Sequence, residues 1–79
     1  MTPSEFEDYG HGVHFRASDG RFYVFVTVES TGDHIEGYES VQRGFADLGA
    51  ATAFLDGLEV ASYWGVKYDV LSPSEFLTK

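Results

Sequence analysis

Cysteine is absent from this chain, so neither a disulfide framework nor a thiolate metal site can hold its fold. Basic residues are scarce too: five lysines and arginines stand against 13 aspartates and glutamates, a formal net charge of −8. A surface with that balance repels nucleic acid and anionic membranes and attracts basic protein surfaces. No stretch approaches the roughly 20 apolar residues of a membrane-spanning helix. The opening MTPSEFEDYG lacks the basic-then-apolar order of a secretory signal, so a cytoplasmic protein is the expectation. Proline occurs only at Pro3 and Pro73, and no Pro-, Gly- or Ser-rich linker divides the sequence. The 79 residues read as a single domain, 1–79.

What the chain does have is a strong hairpin signal. Val13 to Glu29 reads VHFRAS, then Asp19-Gly20, then RFYVFVTVE. Asp-Gly suits a two-residue type I′ turn, which needs φ > 0 at both central positions. That turn predicts Phe15 opposite Val24 and Ala17 opposite Phe22. Side chains alternate with period two, so Val13, Phe15, Ala17, Phe22, Val24, Val26 and Val28 share one apolar face. His14, Arg16, Tyr23, Phe25 and Thr27 share the other.

The ends repeat a phrase. Thr2-Pro3-Ser4-Glu5 and Ser72-Pro73-Ser74-Glu75 each combine an N-cap hydroxyl, proline at the first helical position and glutamate at the third. Each predicts a short capped helical turn pinning a phenylalanine, Phe6 or Phe76, against the body. Between them, His34 to Phe45 reads as a third strand whose poor alternation calls for a bulge at Gly37 or Gly44. Asp47 is a helix N-cap. Leu48, Ala51, Leu55 and Leu58, flanked by Phe54, form an amphipathic stripe that predicts a helix ending near Gly57 or Leu58. Val66 to Leu71 is the last strand. The expected fold is α+β: a three- to four-stranded antiparallel sheet with one main helix on one face and short capped turns at both termini.

Sites of chemistry are few. Asp8, His11 and His14 make a D-x-x-H-x-x-H pattern, but a strand beginning at Val13 turns the two histidines to opposite faces. Neither metal nor other cofactor is expected. The sequence lacks a nucleophile elbow, a P-loop and an HExxH helix, so a non-enzymatic protein with no catalytic residues is expected. The rival is a small enzyme pairing His14 or His34 with a carboxylate. Tyr23 and Phe25 on a sheet face suggest a base-stacking platform, yet the shortage of cations argues against direct nucleic-acid binding.

The leading expectation is an acidic binding protein that docks on a basic protein surface through the face the helix leaves uncovered. Tyr23 and Phe25 would be its anchors, with Arg16 and Tyr38 beside them and Glu29, Asp33, Glu36 and Glu39 as charged contacts. In the competing reading, Tyr23 and Phe25 pack beneath the terminal turns. A homodimer or structural assembly subunit is a further reading.

The run from the hairpin to the helix also resembles a known class. Asp19-Gly20 with RFYVFVTVE, then Gln42-Arg43-Gly44-Phe45 leading into a helix that ends Phe54-Leu55-Asp56-Gly57-Leu58, is similar to phage-encoded anti-CRISPR proteins. The likeness is to a small member with antiparallel strands followed by a helix, which binds the backbone subunits of a Cascade-type surveillance complex. It covers about half the chain. The chain departs from it in the capped terminal turns, in a last strand where that member continues helically, and in its stronger acidity. That member grips its target with sheet-face tyrosines and a glutamate. Here the first aromatic position falls on Ala17 and is not carried over, while Glu29 sits near the acidic one. The resemblance implies an inhibitor in a host cytoplasm, occluding a basic nucleic-acid-binding surface of a surveillance-complex subunit without turnover.

Overall fold

Strand β3 (Arg21–Thr31) organises the molecule, because three other strands pair directly with it. The computed structural model describes residues 1–31 and 36–77, the side chains of residues 30–39 excepted. A 3₁₀ turn (Pro3–Glu5) leads into β1 (Phe6–Asp8) and β2 (His14–Arg16). After β3 come β4 (Glu36–Phe45), helix α1 (Leu48–Ser62), β5 (Lys67–Leu71) and the short helix α2 (Pro73–Leu77). All pairings are antiparallel, in the order β1-β2-β3-β4 with β5 also on β3. The α+β architecture is as the sequence predicts, with five strands among the described residues.

β4 occupies one whole edge of β3, from Phe22 opposite Phe45 to Thr31 opposite Glu36. The other edge is shared end to end. β2 pairs with Arg21 to Tyr23, and β5 pairs with Phe25 to Glu29. The β3–β4 register runs through ten consecutive pairs, so the bulge expected at Gly37 or Gly44 is absent.

The hairpin turn differs from the two-residue prediction. Phe15 faces Phe22 and Arg16 faces Arg21, which leaves a four-residue loop, Ala17 to Gly20. Gly20 has φ +68° and its N–H donates to the Arg16 carbonyl at 2.9 Å. The Asp19 carboxylate accepts from the Arg21 N–H at 3.0 Å, stabilising the longer loop from within. The register is displaced by two residues, and an even displacement keeps every side chain on its predicted face.

At the N-terminus the short capped turn forms as a single 3₁₀ turn. Glu5 does close it, accepting from the Thr2 N–H at 2.6 Å. Phe6 then starts a strand. At the other end the capping box is reciprocal: Ser72 Oγ accepts from the Glu75 N–H, and the Glu75 carboxylate from the Ser72 N–H, both at 3.1 Å.

Helix α1 begins as predicted, with Asp47 Oδ1 accepting from the Ala50 N–H at 2.7 Å. It continues through Gly57 to Ser62. Its stop is Gly65 (φ +100°), where Val66 N–H donates to the Ala61 carbonyl and Gly65 N–H to the Ser62 carbonyl, a Schellman closure. Its inner side lies on the apolar sheet face. Buried Val13, Val24 and Ala51 form a core against which Phe22, Phe45, Phe54 and Leu55 pack.

Candidate binding surface

The opposite sheet face is closed by the chain's own ends, which corrects the expectation for two of the predicted anchors. Phe25 is 0% exposed and Tyr23 is 7% exposed. The Phe6 ring sits edge-on to both, at 5.2 Å from Phe25 and 5.3 Å from Tyr23, and Phe76 of α2 lies 5.1 Å from Phe25. Tyr23 and Phe25 are therefore a second aromatic core, and neither ring is available to a partner. The terminal turns are its lid, which is the competing reading of these residues.

Arg16 is equally committed. It pairs with Glu5 at 3.3 Å and with Asp19 at 3.2 Å, tying the N-terminal turn to the hairpin loop. The Tyr23 hydroxyl donates to the same Asp19 carboxylate at 2.5 Å. That bond raises the Tyr23 pKa and lowers that of Asp19, while the Thr2 N–H and Arg16 hold Glu5 below the ordinary carboxylate value. Arg16, placed among the partner contacts by sequence, is a structural clamp.

His14 is also buried, tilted against Phe25 at 6.1 Å. Burial lowers its pKa below 6.5, against a smaller opposing pull from Asp8. The unfolded chain thus takes up a proton near pH 6.5 that the folded chain refuses. Stability conferred by neutral His14 is complete above that pH and declines as pH falls from 6.5 toward the depressed folded value. Urea melts at successive pH values are expected to show this decline, and His14→Gln should flatten it. A further loss belongs to Asp19 and Glu5, at pH values below 3.8 and 4.5, as their ion pairs are protonated away.

Of the predicted charged contacts, Glu29 is exposed on β3. It lines an open depression of about 200 Å³ with Thr27, Lys67, Tyr68 and Asp69. The backbones of Glu36, Tyr38 and Glu39 lie in β4, and their side chains fall outside the description. Asp33 and His34 lie outside the described residues. Among the described residues, then, Arg16, Tyr23 and Phe25 do not form an exposed contact site with Glu29. Among the described residues no group of histidine and acidic side chains is placed to hold a metal ion, and no helix is long and apolar enough to cross a membrane.

A different surface stands out. At the C-terminal end of α1, Trp64 is 86% exposed and Tyr63 74%, with Val60 beside them at 55%. Residues three and four apart on a helix adjoin, so Val60, Tyr63 and Trp64 form one patch. The Tyr63 hydroxyl lies 3.5 Å from the Glu59 carboxylate. Asp56 and Glu59 are exposed beside it, and α1 contains no basic residue.

No family model matches the chain, and no solved structure matches it. A 40-residue segment, 51% of the chain, is 42% identical to part of cobyric acid synthase from Streptomyces avermitilis. The chain spans only 8% of that enzyme's length, so the likeness carries no activity across.

Sequence reasoning missed the Val60–Tyr63–Trp64 patch because it ended the helix at Gly57. A helix carried on at 100° per residue sets these three residues opposite the Ala51–Leu55–Leu58 stripe, on the side that faces water.

Proposed function

We propose that this protein is a non-enzymatic acidic binding protein whose contact surface is the Val60–Tyr63–Trp64 side of α1. The observation that carries the reading is the near-complete exposure of Trp64 beside Tyr63. Tryptophan and tyrosine are the types most enriched at binding hot spots, and a small domain gains nothing by leaving them in water. Asp56 and Glu59 flank the rings, so the matching partner is a protein surface that is basic and partly apolar. Occlusion of a basic, nucleic-acid-holding surface of a surveillance complex, as the anti-CRISPR resemblance implies, is the specific case of this proposal.

The test is capture from host lysate by the wild type and by a Tyr63→Ala/Trp64→Ala variant in parallel. The expected result is a basic protein held by the wild type and released by the variant, an affinity loss of at least about hundredfold for two hot-spot residues. Circular dichroism melts of the two should agree within about 0.5 kcal/mol, since exposed rings contribute little to folding. The association rate should fall as salt shortens the Debye length from about 30 Å to about 3 Å. Capture unchanged by the double substitution, or indifferent to salt, would refute the proposal.

A further inference from the structure

Three strands leave an edge unpaired by the described residues, and the edges are not equivalent. β1 offers three residues, of which Glu7 and Asp8 are exposed acids. β5 offers five, including exposed Lys67 and Asp69. β4 offers ten, in unbroken register with β3, with no proline, no lysine and no bulge. Proline, lysine and bulges are devices by which edge strands ordinarily avoid pairing with other chains; β4 lacks all three, and its charges, Glu36, Glu39 and Arg43, are of both signs.

We infer that the free edge of β4 pairs antiparallel with the same edge of a second copy of this chain, about a two-fold axis at Val41. The register follows from two constraints. Strand residues alternate in directing their N–H and C=O groups to one neighbour or the other, so in β4 one parity is committed to β3. A symmetric pair must then match outward residues with outward residues, which requires the axis to pass through a residue. An axis at Ser40 sets Glu39 opposite Val41 and Arg43 opposite Gly37. An axis at Gln42 sets Glu39 opposite Phe45 and Arg43 opposite Val41. An axis at Val41 sets Glu39 opposite Arg43 in both halves, Tyr38 opposite Gly44 and Phe45 opposite Gly37. That arrangement alone joins opposite charges twice and meets each aromatic residue with a glycine. The two sheets become one, and both long edges disappear from solvent.

Sedimentation equilibrium over a concentration series is the test. The wild type should dimerise. Glu39→Arg or Arg43→Glu alone places like charges opposite each other twice and should weaken the dimer about tenfold. An equimolar mixture of the two variants restores both opposite-charge pairs and should dimerise as the wild type does. Arg43 lies 5.7 Å over the Phe54 ring, so Arg43→Glu also perturbs the monomer. Glu39→Arg leaves that contact intact and keeps the test independent of it. A second readout uses the lack of native cysteine. Val41→Cys faces its own copy across about 4.5–5.5 Å between Cα atoms and should oxidise to a cross-linked dimer. Ser40→Cys, displaced along the strand from its copy, should not. A wild type that stays monomeric, a mixture no tighter than either variant, or equal cross-linking at 40 and 41 would overturn the inference.

Discussion

Phe25→Ala is expected to leave the chain unfolded near room temperature. Truncating a buried phenylalanine costs about 3–5 kcal/mol, from lost transfer energy and from the cavity left behind. A single core in a chain this short rarely supplies more than about 3–5 kcal/mol in all. Here the cavity would open beneath Phe6 and Phe76, which rest on that ring, and beside His14 and Tyr23. Far-UV circular dichroism of the purified variant reads the outcome directly. A folded variant with a melting temperature near the wild type would mean that the ring is not a keystone. The contrast with Trp64→Ala is the informative comparison: one aromatic ring holds the fold, the other leaves it indifferent.

Gly12→Ala should be nearly as damaging for a different reason. Gly12 has φ +84°, and a Cβ there would stand 2.6 Å from Val70 Cγ1 and 3.6 Å from Leu55 Cδ1. The left-handed backbone costs a non-glycine residue roughly 1–2 kcal/mol, and overpacking a β-branched neighbour adds about 1–3 kcal/mol. Gly10 provides the control, since it has φ +81° and nothing within 4 Å of its virtual Cβ. Gly10→Ala should show the backbone cost alone in a urea melt. Val70→Ala placed in the Gly12→Ala background should return part of the difference, and full additivity of the two would show that they do not meet.

The parts of this fold legible in the sequence are those governed by short-range rules. Alternation placed Val13, Val24 and Val26 on the helix side, and Tyr23 and Phe25 on the other. It did so despite a turn two residues longer than Asp-Gly suggests, because that displacement preserves parity. Capping chemistry located the start of α1 at Asp47 and the turn at Ser72. What local rules do not carry is which segment covers which face. Phe6 comes to lie over Tyr23 and Phe25 because β1 pairs with β2, and a three-residue strand has almost no sequence signature. Gly57 costs the helix about 1 kcal/mol relative to alanine, a weak signal that the closure at Gly65 overrides. Both misreadings acted on the candidate site: one exposed two rings that are buried, the other hid two that are exposed.

Phe6 and Phe76, drawn from opposite ends of the described chain, converge on a single ring. The topology is thus close to a closed circuit, with its seam over Phe25. The contacts of Phe6 and Phe76 with Phe25 would be kept by a permuted chain whose ends are joined there by a short tether and whose new ends open in the loop Ala17–Gly20, at the expense of the Arg16–Asp19 tie across that loop.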